Sequence, residues 1–114
     1  MSATYNIVLD ANSDFAVYLQ FKNCNGEIVD FSTCNLRMQL RTRANSPTVL
    51  DELSTDNGRL SFEDDGKVRV FFPHDITRDY KFTHAVYDIL AEDSNGFFTR
   101  ILEGNVEARP EVTR

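Results

Sequence analysis

The side chains able to do chemistry are few and scattered. His74 and His84 are the two histidines, and neither has a serine or cysteine at a spacing that would make it the base of a nucleophilic pair. No serine stands in a strand-turn-helix elbow, and no glycine-rich loop is present to cradle a phosphate. Cys24 and Cys34 are the only cysteines. A zinc site built on them would have to recruit both histidines, because structural zinc takes four ligands. They also lie too close in sequence for the inter-sheet bridge of an antibody domain, which joins strands far apart in the chain; they could meet across a local strand pair, but with no export signal reduced thiols are the expectation. Glu63-Asp64-Asp65 gathers carboxylates beside Gly66, but without the Asp-x-Asp-x-Asp-Gly order and distal Glu of a calcium loop; it reads as an acidic hairpin turn. Paired carboxylates for sugar hydrolysis would find only a shallow cleft in a chain this small. The expectation is a protein with no catalysis, no cofactor and no metal.

The remaining candidates are surface residues. Arg37, Arg41 and Arg43 fall on the polar side of an alternating run and form a basic stripe, either a solvated outer face paired with neighbouring Asp and Glu or a surface suited to an acidic partner or a phosphate. Asp88 and Arg100 stand on opposite arms of a hairpin and are expected to pair across it for structural reasons. Tyr18, Phe71 and Phe97 fall on outward positions. Aromatics left in water anchor protein contacts, so these three are candidate interface residues.

The element that must position them is the stretch from His84 to Val106. It reads as two long strands around Asn95-Gly96, a pair suited to a type I′ turn in which both central residues take positive φ. Tyr87, Ile89 and Ala91 share one face, and Val86, Asp88, Leu90 and Glu92 the other. Strict alternation puts Phe98, Leu102 and Val106 on one face together with Arg100 and Gly104. Earlier strands are expected at 4–10, 15–22, 35–43, 49–53, 59–63 and 67–72, with a short return segment at 27–31 after the Asn25-Gly26 turn. In the second strand, Phe15, Val17, Leu19 and Phe21 point one way; in the third, Leu36, Met38 and Leu40 do. Four of the five glycines follow Asn or Asp, which sets strands at short spacing with tight turns. Residues 74–79 are the one place for a helical turn, after Pro73 and with Asp75 as its cap. The fold class is therefore all-β, an immunoglobulin-like antiparallel two-sheet sandwich of seven or eight strands. Pattern fades after Val106, and a flexible tail is expected from about residue 108.

With 114 residues the chain has the length for one domain, spanning 1–114. A net charge of −6 opposes a nucleic-acid partner. No apolar run approaches the ~20 residues of a membrane helix, and Met1-Ser-Ala-Thr-Tyr-Asn6 lacks the basic start and apolar stretch of a signal peptide.

Several segments resemble a known family. Val86-Tyr-Asp-Ile-Leu-Ala-Glu-Asp-Ser-Asn-Gly96, Thr99-Arg-Ile-Leu-Glu-Gly-Asn-Val106 and Pro110-Glu-Val-Thr-Arg114 are similar to the end of small tailed-phage β-sandwich domains. Phe21-Lys-Asn-Cys-Asn-Gly-Glu-Ile-Val-Asp30, Leu36-Arg-Met-Gln-Leu-Arg41 and Val49-Leu-Asp-Glu-Leu-Ser-Thr-Asp-Asn-Gly58 fit the same pattern. The likeness covers most of residues 15–114 and is most specific at the C-terminal end. It departs at Pro73–Thr83, where the family often carries an Ala/Leu-rich turn, and the cysteines lie outside it. The resemblance implies a virion structural protein, of the kind that forms tail collars or adaptors holding fibres in siphophages. It implies other virion proteins as partners, a homo-oligomer assembled in the host cytoplasm, and no catalytic residues. Association would be symmetric or through an open sheet edge. A capsid decoration protein and a free module binding host-surface sugar are the alternatives.

Overall fold

The computed structural model describes residues 3–110. Ten strands run in chain order: β1 (Ala3–Thr4), β2 (Ile7–Asp10), β3 (Phe15–Lys22), β4 (Ile28–Val29), β5 (Asn35–Arg41), β6 (Asp51–Ser54), β7 (Leu60–Phe62), β8 (Lys67–Phe72), β9 (His84–Glu92) and β10 (Phe98–Arg109). A 3-10 turn spans Asp64–Gly66 and a single helical turn, α1, spans His74–Thr77. β1 and β4 are two residues each, so eight longer strands build the molecule. One sheet runs β1-β10-β9-β5-β6, with β2 also on β10; the other runs β4-β3-β8-β7. A three-strand unit of β5, β9 and β10 facing one of β3, β7 and β8 is the arrangement of an immunoglobulin-like sandwich.

Alternation drives the packing. Leu36, Met38 and Leu40 of β5, Tyr87, Ile89 and Ala91 of β9, and Val68, Val70 and Phe72 of β8 are buried, and the residues between them face outward. Each large aliphatic side chain taken fully out of water contributes about 1.5–3 kcal/mol. The inward row of β3 is half-buried and packs against this core.

Strand ends differ from expectation where local chemistry intervenes. β5 stops at Arg41, so Arg43 lies in the following loop, where its Nε donates to Asn45 Oδ1 at 3.1 Å. Gly96 takes φ 79°, but Asn95 does not share the positive φ of a type I′ turn. Instead Asp93 Oδ1 accepts from the backbone N–H groups of Asn95 and Phe97, both at 2.9 Å. Gly96 N donates to Asp93 O, which closes a three-residue loop whose last residue is left-handed. The Asn23–Glu27 turn repeats this design, with Asn23 Oδ1 accepting from Asn25 and Glu27. Asp75 does not cap α1. The carboxylate of Asp14, sixty residues earlier, accepts from His74 N at 2.7 Å. β10 also continues beyond the point where pattern fades. Ala108 turns inward and residues 106–109 pair in parallel with Ile7–Asp10, so order extends to Arg109 before Pro110 removes the next ladder donor. The rest of the expected tail, 111–114, lies outside the described residues.

The largest departure is in β10. Its register against β9 shifts between Arg100 and Leu102, leaving Ile101 as an extra residue. Ahead of the shift Phe98 and Arg100 point outward; after it Leu102, Gly104 and Val106 point inward. Ile101 and Leu102 are both buried, and Phe98 is 55% exposed rather than grouped with them.

Gly104 has a specific reason. Added to it, a Cβ would stand 2.0 Å from Tyr5 O. The chain between β1 and β2 presses here: Tyr5 N donates to Glu103 O at 2.9 Å, and Asn105 N donates to Asn6 Oδ1 at 3.0 Å. The buried Tyr87 hydroxyl donates to Tyr5 O from below. Burial, with Tyr5 as a lesser influence, pushes that hydroxyl's pKa well above the usual tyrosine value.

A polar clasp joins the sheets. Arg59, ahead of β7, faces Asp51 of β6, with Nη1 2.9 Å from Oδ1 and Nη2 2.8 Å from Oδ2 as an ion-pair contact rather than an aligned hydrogen bond. The Tyr80 hydroxyl, beyond α1, donates to Asp51 Oδ2. Arg59 also lies over the Phe72 ring at 5.5 Å and donates to Phe71 O. Burial works against the Arg59 charge, but Asp51 and Tyr80 outweigh it and hold the guanidinium protonated. Burial, then the Asp51 carboxylate, raises the Tyr80 hydroxyl.

Two outcomes are expected in urea titrations. Gly104→Ala forces the Tyr5 backbone off β10 and lowers unfolding free energy by about 1–3 kcal/mol. Arg59→Met strands Asp51 and Tyr80 and costs about 3 kcal/mol, the lower end for a buried pair because both side chains keep some solvent contact. An unchanged midpoint in either variant would refute the corresponding role.

Candidate functional site

Pairing across β6, β5, β9 and β10 arranges the outer face of the larger sheet in rows. One row runs Ser54, Arg37, Leu90, Arg100; the next runs Glu52, Gln39, Asp88, Glu103; the third runs Arg41, Val86, Asn105. A row carrying two arginines thus lies beside a row carrying three acids. Arg100 Nε is 3.2 Å from Asp88 Oδ2, and its Nη1 is 3.8 Å from Glu103 Oε2. The β10 bulge makes this possible, since it leaves Arg100 outward while carrying Glu103 back onto the same face.

The arginine stripe does not act as one unit. Arg41 is half-buried; its Nη1 donates to Ser46 O at 2.6 Å and its Nη2 to Gln39 Oε1 at 2.8 Å. Gln39 Nε2 in turn donates to Glu52 at 2.9 Å. Arg41 therefore ties the 42–50 loop to the sheet. Arg43 belongs to that loop. Arg37 is exposed, and among the described residues no carboxylate lies within ion-pair distance of it. A shallow groove of about 440 Å³ opens over Gln39, Arg41, Val86, Asp88 and Asn105. Arg41 is held there by Ser46 O and Gln39, and Asp88 by Arg100, so the groove offers hydrogen-bonding edges rather than an open charge.

The three outward aromatics separate as well. Phe97 is 69% exposed at the β9–β10 turn, beside Phe98. Tyr18 and Phe71 lie on the opposite face of the sandwich, on β3 and β8. There Arg69 sits directly across from Tyr18 and its guanidinium stacks on the Phe71 ring at 4.4 Å. Alternation indicates that Tyr18 and Phe71 face outward, but not that Arg69 joins them as a stacked unit. Phe98 was concealed by the bulge.

The potential chemical groups stand apart. His74 Nδ1 is 3.0 Å from Asp14 Oδ1 at one end of the sandwich. The backbone N–H of His74, and then its ring, hold the Asp14 carboxyl below the usual carboxylate range. His84 begins β9, and its Nδ1 lies 3.3 Å from the Thr83 hydroxyl. Cys24 is exposed in a turn and Cys34 packs at the edge of the core; both are free thiols. Among the described residues, no three His, Cys, Asp or Glu side chains are placed to hold a metal ion, and Glu63-Asp64-Asp65 runs into the exposed 3-10 turn.

No protein-family model and no curated protein matches the chain. Among solved structures, the chain is similar to a mutant of the SrpA adhesin from Streptococcus sanguinis, at 16% identity and a TM-score of 0.45. The match covers 92% of this chain and 55% of that one, so the chain spans about half the adhesin structure's length.

The split within the stripe is measurable. Arg41→Ala loses two charge-assisted hydrogen bonds and lowers stability by about 1.5–3 kcal/mol, whereas Arg37→Ala stays within about 0.5 kcal/mol of the parent. Equal effects on the thermal midpoint would contradict the assignment.

Proposed function

We propose that the protein is a non-enzymatic structural component of a tailed-phage virion, a collar or adaptor module of the tail that works by docking to other virion proteins and to copies of itself. The observation that carries the docking reading is the exposed tip of the larger sheet. Phe97 and Phe98 stand in solvent at the end of the β9–β10 hairpin, with the unpaired Arg37 on the same outer face. Aromatic residues and arginine are the types that dominate binding energy at protein interfaces, and here a rigid sheet holds them in place. Support for the phage assignment comes from the resemblance of the 86–114 segment and the 21–58 segments to tail β-sandwich domains.

In this reading Arg37, Phe97 and Phe98 contact the neighbouring subunit or adaptor, while Arg41 and Arg43 shape the adjoining loop and Asp88 with Arg100 keeps the sheet face flat. Association is through sheet faces, and the subunit itself does not change shape.

Mass photometry and light scattering of the purified protein test this. A closed ring of defined stoichiometry is expected, and Phe97→Ser with Phe98→Ser should release monomers without lowering the thermal midpoint. A monomer at all concentrations that binds surface glycans would replace this reading with the sugar-binding one.

A further inference from the structure

The outer face of the smaller sheet differs in kind from that of the larger. Its four strands, β4, β3, β8 and β7, contain Lys22, Lys67 and Arg69 and no aspartate or glutamate, in a chain whose net charge is −6. Among the described residues, none of these three cations has a carboxylate within ion-pair distance or a hydrogen bond from its side chain. Arg100 and Arg109 on the larger sheet are both ion-paired. The free cations are interleaved with aromatics. Tyr18 is 54% exposed and directly opposite Arg69, and Arg69 is stacked on Phe71 at 4.4 Å. Stacking occupies the flat face of a guanidinium and leaves its in-plane N–H donors available, the geometry that receives a carboxylate in a two-pronged contact.

We infer that this face docks a carboxylate-bearing segment of a partner protein, with Arg69 as the anchor, Lys67 and Lys22 as flanking charges, and Tyr18 and Phe71 as the apolar floor. The limits of the face select the class of anion. β3 and β8 pair over six rungs, about 20 Å of extended chain. Beyond the Gln20–Lys67 rung the acidic turn Glu63-Asp64-Asp65 follows on one strand and Lys22 on the other, and beyond the Phe15–Phe72 rung stand Asp14 and Asp75. A long polyanion, whether nucleic acid or a sulfated polysaccharide, would be repelled at both ends as it ran past. A short acidic peptide strand or loop fits between the fences. The chemistry of this face is independent of the virion reading, which rests on the opposite sheet.

Titration of labelled protein with a hexaglutamate peptide, followed by amide chemical shifts at low salt, tests the inference. Shifts are expected to be confined to residues 16–22 and 67–71 and to fade as salt is raised. Arg69→Glu should weaken binding by about tenfold or more, and Arg69→Lys should also weaken it because the stacked fork is lost. Arg37→Glu on the other sheet should leave it unchanged. The thermal midpoint of each variant establishes that it is folded. The inference is overturned by an absence of shifts at millimolar peptide, by shifts on the larger sheet, by tighter binding of a heparin fragment than of the peptide, or by concentration-dependent shifts on this face without peptide, which would make a second copy the occupant.

Discussion

The extra residue in β10 decides which way the most informative side chains point. Period-two alternation cannot place Arg100 in solvent and Leu102 in the core, because the two would share a face. Inserting Ile101 resolves this. Both Ile101 and Leu102 stay buried, Arg100 and Glu103 come together on the outside, and Gly104 is brought inward to where the Tyr5 carbonyl presses on the strand. The Asp88–Arg100–Glu103 contacts, the seat of the N-terminal strands and the exposure of Phe98 all follow from that single shift. A bulge of this kind re-aims side chains at little cost to the ladder, since only one residue is left out of the pairing.

The two outer faces handle charge in opposite ways. On the larger sheet, arginines and acids lie in adjacent rows and neutralise one another, so most of that face is a solvated mosaic with an aromatic tip. Exposed pairs of this type contribute little to stability, ~0–1 kcal/mol each, and their main effect is to remove net charge from the surface. On the smaller sheet the cations have no such partners, and the acids stand at the ends of the strands. A basic patch within an acidic protein keeps its potential locally, over roughly a Debye length of about 8–10 Å at ordinary salt. A negative total charge therefore does not make every surface of the molecule repel an anion.

Most of the architecture could be read from sequence because it rests on local signals. β3 and β8 begin and end where alternation and turn residues placed them, and Pro73 closes β8 as a missing donor should. Several of the departures share a cause: they depend on a residue far away in the chain. Asp14 caps α1 across sixty residues. Asp51, Arg59 and Tyr80 meet from three separate segments, and no local pattern marks them. Gly104 carries no local mark of its role, because the backbone that presses on it belongs to Tyr5. Among candidate site residues, Tyr18 and Phe97 could be recognised as exposed and Asp88 as paired with Arg100. The division of labour within the arginine stripe was not legible, because strand alternation says which side a residue faces and not whether a loop carbonyl such as that of Ser46 already holds it.

Most sheet edges, which an open sandwich ordinarily offers to neighbours, are poorly suited to that use here; one side of β3 is the exception, since β4 pairs only with Phe21 and Lys22 and, among the described residues, Phe15–Gln20 pair only with β8. β4 and β7 themselves are two and three residues long, too short for a ladder that would hold another chain. On β6 most groups directed away from β5 are already engaged: Glu52 N donates to Asp51 Oδ1 at 2.8 Å, Glu52 O accepts from Asn57 Nδ2 at 3.0 Å and from Arg59, and Ser54 N donates to Asn57 Oδ1 at 3.0 Å. The far side of β10 is covered by β1 and β2, whose parallel pairing is itself only six rungs long. Where edges are short or self-satisfied they guard against indiscriminate strand addition. There association falls to the faces, where specificity comes from the side chains a strand projects and not from the backbone that every strand shares. That favours contacts of fixed geometry.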